Sequence, residues 1–354
     1  MNDITTTASE QAMALVGRHF RMTEQYEVGR EKIREFARAV QDGHPAHRYE
    51  GAAAELGFDG LVAPLTFSSI VLMLVQRKMF ESLLTGYDLG QVLQTEQSIR
   101  VHRPIIAGDQ LQCDSYIESF RQFGDKDFMV TKTVLSNQHK EVLQTAHTTA
   151  VAQTGVEIAA DLRAAVEGVI MTGQSAGDRS DAAAARARDQ HAGLVERFDQ
   201  VAQQDSDEQR RPPRTVVAFE ELSVGMELAP RTMVLSRGDL VNYAGVSGDS
   251  NPIHFSDLVA SRAGLPDVVS HGLLTMGLGA GYLTEWLGDP TTVTNYGVRF
   301  AGFAPVPATK ASAIEFRGRV KELDLVRRAA TIALSATCDG RKLFGRATAE
   351  VLLR

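Results

Sequence analysis

Hydrophobic and polar positions alternate in two long segments of this chain, residues 97–153 and 291–353. A two-residue period of this kind is typical of antiparallel strands that bury one face. An apolar segment with the length of a helix precedes each set of strands. The order of helix first and strands after predicts an α+β unit, in which an antiparallel sheet wraps one central apolar helix. We expect the chain to contain two such units.

The alternation is clearest near the C-terminus. Ile314, Phe316 and Val320 fall on one strand face, and charged residues fall on the opposite face. Asp339-Gly340 separates two further strand-like runs and favours a type I′ turn, because both central positions of that turn need φ > 0. We therefore predict a hairpin at this pair, and Ser136-Asn137-Gln138 occupies the matching place in the first half.

A short motif is repeated in the two halves. Residues 42–47 read Asp-Gly-His-Pro-Ala-His, and residues 249–254 read Asp-Ser-Asn-Pro-Ile-His. Each copy is followed by an apolar helix and then by the strands described above. A period this long indicates duplicated domains and not a solenoid of short repeats.

The composition changes between the two copies, and this change defines the predicted domain boundaries. Residues 1–155 form the expected N-terminal domain and residues 214–354 the expected C-terminal domain. Residues 156–213 are rich in Ala, Asp, Arg and Gln and contain too few large apolar residues for a core. A linker or a partly helical tether is therefore expected there. A docked helix near residues 194–201 is an alternative that the sequence leaves open.

The overall composition excludes several classes of protein. A chain of 354 residues with 44% hydrophobic and 23% charged residues fits two globular domains. The net charge of −7 argues against a nucleic-acid-binding protein. The first residues are polar and acidic, and the longest apolar run, residues 70–75, is far shorter than the ~20 residues of a membrane span. Cys113 and Cys338 lack metal-ligand spacing, so we expect two buried thiols in a reducing cytoplasm.

The second copy of the motif carries candidate acid–base chemistry. Pro252 restricts its own φ and disfavours a helical conformation at Asn251, so a helix arriving from Tyr243 should end near Asp249. Asp249 and His254 can then converge from two sides of the bend on one water molecule and act as an acid–base pair near neutral pH. We expect the Asn251 side chain to hold the turn through hydrogen bonds to the backbone.

A second candidate element follows at Ser270-His271-Gly272, which opens an apolar helix. The free amides at a helix start can hold an oxyanion, and glycine lets a substrate approach the backbone closely. Gly272 is therefore the candidate oxyanion donor. For His271, packing at the helix start and contact with substrate are both open.

Asp249, Asn251, Pro252, His254 and His271-Gly272 together resemble the hydratase motif of the MaoC-like, R-specific enoyl-thioester hydratases. The resemblance extends from about Phe219 to the C-terminus, and within the family it is strongest to the catalytic subunit of the mycobacterial (3R)-hydroxyacyl-ACP dehydratases. Residues 28–37 and 61–67 resemble the non-catalytic partner subunit. The chain therefore looks like a fusion of the two subunits.

The resemblance implies a double hot-dog fold, an internal pseudo-heterodimer with its two sheets side by side. It implies reversible dehydration of (3R)-hydroxyacyl thioesters to trans-2-enoyl thioesters, with Asp249 and His254 acting as a pair and without a metal or other cofactor. Acyl carrier protein is the expected carrier, in long-chain or mycolic-type elongation, where other elongation enzymes are possible partners. The first half would bind the acyl chain, and its candidate residues, which are either core or tunnel wall, are Leu65, Phe67, Ile70, Val71 and Leu74.

Two other functions are kept as alternatives. One is an R-specific enoyl-coenzyme A hydratase of fatty-acid breakdown. The other, from a different class, is a catalytically silent acyl-binding subunit, against which the intact Asp249, Asn251, His254 and Gly272 weigh. Arg317, Arg319 and Lys321 share a strand face, which is either a solvated outer face or a docking site for an acidic carrier protein.

The first copy of the motif is not expected to be a second active centre. It keeps Asp42 and His47 but has His44 in place of Asn251 and Ala63-Pro64 in place of Gly272-Leu273. Pro64 removes an amide donor and is well suited to the first turn of a helix, which we therefore expect to begin here.

Gly277, Gly279 and Gly281 superficially suggest a nucleotide-binding loop. They follow a helix start and not a strand, and the six-residue fingerprint is incomplete. Each glycine costs a helix ~1 kcal/mol relative to alanine. We therefore expect a close neighbour at these positions, either a packed sheet or an acyl chain.

Overall fold

The edge strands of the two halves pair with each other and join both halves into one sheet. Strand β3 (Val92–Val101) runs antiparallel to β8 (Val293–Phe300), with Ser98 opposite Gly297 at the middle of the seam. The computed structural model describes residues 7–84, 86–87, 92–153, 159–170 and 211–354.

Three short elements aside, the helices and strands follow the same order in both halves. In the first half they are α1 (Ala8–Ala14), β1 (His19–Arg21), β2 (Tyr26–Glu27), α2 (Arg30–Ala39), α3 (Glu50–Glu55), α4 (Ser69–Ser82), β3, β4 (Gln110–Phe123), β5 (Lys126–Ser136) and β6 (Val142–Gln153). Helix α5 (Ala160–Glu167) follows in the predicted linker. In the second half they are β7 (Glu227–Leu235), α6 (Arg237–Ser247), α7 (Asp257–Arg262), α8 (Gly272–Leu287), β8, β9 (Ser312–Asp324), β10 (Ala329–Cys338), β11 (Arg341–Lys342) and β12 (Phe344–Leu352). Short 3₁₀ turns occupy Pro45–His47, Phe219–Glu221 and Pro252–His254.

The strand order has the symmetry expected of a duplicated domain. The path through the described strands is β1-β4-β5-β6-β3-β8-β12-β10-β9-β7, so each half presents the same order outward from the seam. The strand pairs along this path are antiparallel. This arrangement confirms the predicted α+β architecture with the two sheets side by side.

The predicted strand faces and the hairpin of the second half are confirmed. Ile314, Phe316 and Val320 on β9 are fully buried. Asp339 and Gly340 have φ of 47° and 74°, which are the two positive values that the turn between β10 and β11 requires. Cys113 and Cys338 are free, buried thiols on β4 and β10.

Helix α8 is buried nearly all round, as a hydrophobic helix inside a wrapping sheet should be. An ideal Cβ at Gly279 would lie 2.5 Å from the Tyr296 hydroxyl of β8. On the opposite side, a Cβ at Gly277 would lie 2.6 Å from Val40 Cγ1, and one at Gly281 would lie 3.5 Å from Asp42. The glycines therefore let α8 approach both its own sheet and the first half, which confirms the expectation of a close neighbour.

One predicted helix boundary is wrong. The central helix of the first half does not begin at Pro64. Tight turns come first, in which the Phe67 amide donates to the Pro64 carbonyl at 2.9 Å and the Ser69 amide to the Thr66 carbonyl at 3.0 Å. Regular α-helix begins at Ser69. The proline is compatible with both conformations, since it fixes only φ.

The described ends of the linker each contact the half to which they are not directly joined. Helix α5 follows the first half but packs beside α7 of the second, where Asp161 pairs with Arg262. Arg211, at the end of the linker, donates to the Leu56 carbonyl at the end of α3, and Arg214, the first residue of the second half, donates to the adjacent Glu55 carbonyl. The possible helix at 194–201 lies outside the described residues. Among the helices of the described part, none has the length and apolar character needed to cross a membrane.

The close approach at Gly277 yields a stability prediction. Gly277→Ala should lower the free energy of unfolding by about 1–2 kcal/mol, because overpacking against Val40 outweighs the better helix propensity of alanine. Gly245→Ala is the matched control. Gly245 lies in α6 with open space around its Cβ position, so the change there should raise stability by about 0.5–1 kcal/mol. Chemical denaturation of both variants checks this, and equal stabilisation by the two changes would contradict it.

Candidate active site

The candidate site is built on the turn that ends α6. Gly248 caps the helix in the left-handed conformation, with φ of 78°, and this conformation ends the helix one residue before Asp249. Asn251 is extended, with ψ of 121°, and its side-chain oxygen accepts a hydrogen bond from the Ile253 amide at 3.2 Å. The predicted helix end and the predicted role of Asn251 are therefore confirmed.

His254 is held by one main-chain contact. Its ring is 8% exposed, and Nδ1 lies 2.7 Å from the Val269 carbonyl oxygen. Because a carbonyl oxygen only accepts, Nδ1 carries the proton and Nε2 of the neutral ring is left as an acceptor. Burial lowers the pKa of His254 below its ordinary value, against the opposing effects of Asp249 and the Val269 carbonyl. The neutral ring is the form that can take a proton.

The carboxylate of Asp249 and the imidazoles of His254 and His271 converge. One ligand atom from each of the three lies within 4.8 Å of the others. Asp249 is half-buried, and its Oδ1 accepts the Asn251 amide at 3.4 Å. The bend thus places a carboxylate beside an imidazole acceptor, with the carboxylate partly open to solvent.

His271 contacts both members of this pair. Its ring is fully buried and stacks on that of His254, with centroids 3.7 Å apart and an interplanar angle of 26°. Its Nε2 lies 3.3 Å from the main-chain oxygen of Asp249, to which it donates. Burial and the neighbouring His254 hold the pKa of His271 well below its ordinary value. Of the two interpretations left open for His271, the geometry favours packing at the helix start.

The same stacking argues against a metal centre. A metal ion is bound through the lone pair in the plane of an imidazole ring. The planes of His254 and His271 lie nearly parallel and face to face, so their in-plane lone pairs do not meet at one point. The three side chains are therefore better suited to acid–base chemistry than to metal binding.

Gly272 is the first residue of α8, so its amide has no acceptor within the helix. Unlike the residues that follow it, Gly272 is exposed. The Phe300 ring lies 3.4 Å from the position that a Cβ at Gly272 would take. The positive end of the α8 dipole favours negative charge at this point.

The first copy of the motif has the same backbone arrangement, but its Asp–His pair is buried. His47 Nδ1 lies 2.6 Å from the Val62 carbonyl, as His254 Nδ1 does from Val269. His44 Nδ1 accepts the Ala46 amide at 3.2 Å and so replaces Asn251. However, Asp42 is only 2% exposed and His47 is fully buried, with 3.3 Å between their side chains. This pair is closed off from substrate.

The acyl-chain candidates lie in and beside the core. Leu65, Phe67, Ile70 and Val71 are buried members of the main hydrophobic cluster, and Leu74 is half-buried. A cavity of about 30 Å³ lies between α4 and the sheet, on a different side of the helix. Its wall includes Leu72, Val75, Gln76, Met79 and Phe80 of α4. A cavity of about 290 Å³ is found near Phe58, Arg103 and Thr291 and does not include the motif.

Sequence reasoning missed the contributions of Val269 and Arg77. Val269 acts through its carbonyl, which no side-chain pattern reveals, although its counterpart Val62 does the same in the repeat. Arg77 of α4 donates from Nη2 to the Gly248 carbonyl at 2.8 Å. This contact joins the two halves, and no local sequence motif predicts it.

Comparisons with known proteins agree with this geometry. Residues 14–146 match the FAS1-like dehydratase domain region, and residues 219–334 match the MaoC-like domain. A solved structure described as a MaoC-like dehydratase is 41% identical, with 97% of this chain and 100% of that chain covered and a TM-score of 0.85.

Two other proteins extend the comparison. A UPF0336 protein of Mycolicibacterium paratuberculosis is 40% identical over 141 residues, which are 40% of this chain and 89% of that protein. A conserved hypothetical protein of Mycobacterium tuberculosis, described as having a double hotdog fold, is 13% identical with a TM-score of 0.58, and 96% of each chain is covered. These likenesses confirm the predicted double hot-dog fold.

The buried pair Asp42–His47 yields a prediction in which stability changes and activity does not. Burial raises the pKa of Asp42, but the interaction with His47, 3.3 Å away, and the hydrogen bond from the His44 amide outweigh it, so the pKa is lowered overall. A carboxyl group whose pKa is lowered by folding stabilises the folded protein at pH values above its ordinary pKa of 3.8. This stabilisation is lost as the pH falls below that value. Asp42→Asn should therefore reduce the free energy of unfolding by about 2 kcal/mol at neutral pH and by less in acid, with turnover little changed.

Denaturation curves at two pH values, measured beside turnover, check this expectation. Ser250→Ala, a change at a half-buried residue in the second copy of the motif, serves as a control for stability. If Asp42→Asn abolishes turnover and leaves stability unchanged, the first half contains a catalytic centre of its own.

Proposed function

This chain belongs to the family of MaoC-like dehydratases, and on that basis we propose that it catalyses the reversible dehydration of a (3R)-hydroxyacyl thioester to the trans-2-enoyl thioester. The observation that carries the proposal is the convergence of Asp249 with a neutral, buried His254 near Gly272, an exposed residue whose amide has no acceptor within α8. An acid–base pair next to an oxyanion donor is what hydration of an enoyl thioester requires.

In the hydration direction, the water lies between the Asp249 carboxylate and Nε2 of His254. Nε2 takes a proton from the water as its oxygen bonds to C3 of the enoyl group. The resulting imidazolium is stabilised by the Asp249 carboxylate, and it returns the proton to C2. The water is thus added in full and both side chains recover their starting state. Dehydration follows the same steps in reverse.

The negative charge that develops on the thioester oxygen is held by the Gly272 amide. This donor points outward from the start of α8, and the helix dipole acts in the same direction. Donors of this type typically contribute about 10²–10³ in rate. The exposure of Gly272 and its contact with Phe300 support its use by a substrate that arrives from solvent.

We assign the acyl chain to the first half, along α4. Leu65, Phe67, Ile70, Val71 and Leu74 supply an apolar wall, and the cavity of about 30 Å³ marks a second wall of the same helix. This space is far smaller than the ~300–1,000 Å³ of a typical ligand pocket. Binding of a long chain therefore requires α4 or its side chains to move outward.

Acyl carrier protein is the carrier we propose, and coenzyme A is the alternative. Arg317 and Arg319 are exposed on the outer face of β9, although Arg317 is paired with Glu315 at 2.8 Å. If these residues dock an acidic carrier protein, reversing both charges should raise KM for the carrier-bound substrate several-fold and leave a short coenzyme A substrate unaffected. Unchanged kinetics on both carriers would exclude this face.

The reaction itself is tested by following the enoyl absorbance of crotonyl and long-chain enoyl thioesters. Asp249→Asn and His254→Ala should each lower kcat by about 10²–10⁴, because each removes one member of the acid–base pair, with the fold intact by circular dichroism. Asn251→Ala, which removes the turn hydrogen bond and leaves both groups in place, should cost less. A folded Asp249→Asn or His254→Ala variant with near-normal turnover would refute the site, and a parent protein without turnover would favour a silent acyl-binding subunit.

The lowered pKa of His254 predicts the acid limb of the pH profile. A histidine whose pKa lies below its ordinary value of 6.5 stays neutral, and able to accept a proton, as the pH falls through 6.5. The kcat/KM for hydration should therefore be retained at pH 6.5 and fall only at lower pH. An acid limb centred above 6.5 would show that another group is the base.

A further inference from the structure

We propose that Arg77, a residue of the non-catalytic half, is a positioning residue for Asp249. The inference rests on the proposed function, since it concerns the same acid–base pair. It goes beyond the proposed function because part of the active-site geometry is assigned to a side chain from the other half of the molecule.

The contact is made at the residue before the carboxylate. Arg77 lies on α4, is half-buried, and donates from Nη2 to the Gly248 carbonyl oxygen at 2.8 Å. Gly248 is the left-handed cap of α6, and its carbonyl belongs to the peptide group that leads directly into Asp249. A change in the orientation of this peptide therefore rotates the Asp249 side chain.

The peptide on the other side of Asp249 is held as well. His271 Nε2 lies 3.3 Å from the Asp249 main-chain oxygen, and its ring stacks on His254. The two peptide groups that flank the Asp249 Cα are thus bound by side chains from different halves, Arg77 from the first and His271 from the second. Local hydrogen bonds from the Ser250 amide to the Gly248 carbonyl and from the Asp249 amide to Ser247 Oγ hold the turn within itself, and Arg77 and His271 fix it to the rest of the molecule.

The charge of Arg77 adds to the effect of its position. The C-terminal end of a helix carries partial negative charge, and a cation close to it is favourable. Arg77 lies at the end of α6 that also carries the acid–base pair. The conservative variant Arg77→Lys keeps this charge, whereas Arg77→Met keeps only the aliphatic length.

Two other contacts between the halves have the same form, and the first of them supplies a control. Gln41 Nε2 donates to the Val234 carbonyl at 2.9 Å, and His44 Nε2 donates to the Gly288 carbonyl at 3.1 Å. Gly288 is the left-handed cap of α8, so the His44 contact matches the Arg77 contact at the opposite end of the interface. Neither of these carbonyls adjoins Asp249 or His254. If the Arg77 contact only holds the halves together, its loss and the loss of the Gln41 contact should have similar effects.

The experiment compares Arg77→Met, Arg77→Lys, Gln41→Ala and Lys78→Met in the full chain. Lys78→Met removes the neighbouring charge of the same helix. Kinetics of enoyl-thioester hydration, melting temperatures and hydrogen–deuterium exchange of the segment 245–256 are measured for each. Arg77→Met should lower kcat about 10-fold with KM changed less than 2-fold, and should speed exchange in segment 245–256. Arg77→Lys should recover a substantial part of kcat, and the two controls should retain the parent kcat and exchange.

The outcomes separate this inference from the proposed function. If Arg77→Met leaves both kcat and exchange at parent values, Arg77 does not position Asp249. If Arg77→Met and Gln41→Ala lower the melting temperature and kcat by similar factors, Arg77 only contributes to the interface. If the parent itself has no hydratase activity, the proposed function fails, and the exchange measurement still decides whether Arg77 orders the turn.

Discussion

The pairing of β3 with β8 is the interaction on which the rest of the structure depends. Two edge strands would otherwise expose unpaired amides and carbonyls, and pairing them edge to edge removes both edges. The register, with Ser98 opposite Gly297, relates the halves by a pseudo-twofold axis. This relation packs α2 and α4 of the first half against α6 of the second, whose C-terminal end carries the turn at Asp249.

The two copies of the Asp–His motif share one backbone arrangement but differ in what can reach them. In both copies a histidine Nδ1 donates to a carbonyl fifteen residues later, and a side chain before the proline caps the turn. The difference lies in access. Asp42 and His47 are buried, while Asp249 is half-buried and Gly272 is exposed. A pair of this kind stabilises the fold when it is sealed, and it can do chemistry when a substrate can reach it.

Burial of His254 and His271 has a chemical consequence. A histidine beside a carboxylate would ordinarily have a raised pKa, but here burial prevails and lowers the pKa of His254. The neighbouring His271 is also kept neutral, since two stacked imidazolium ions in a buried site would repel each other. The site thus keeps an imidazole acceptor next to a carboxylate, which is the arrangement that the proposed proton transfer needs.

The sequence alone determined the features that depend on short-range chemistry. Pro252 and Asn251 define the turn and the end of α6 near Asp249, Asp339-Gly340 defines a hairpin, and strand faces follow from alternation, because each depends on the conformational limits of a few neighbouring residues. Asp249, His254 and Gly272 could be chosen as candidates for the same reason. Only the tertiary structure decided the start of α4, the stacking of His271 on His254 and the contact of Arg77 with Gly248. These contacts join residues far apart in the chain, and the register of the β3–β8 seam and the packing of α8 set them.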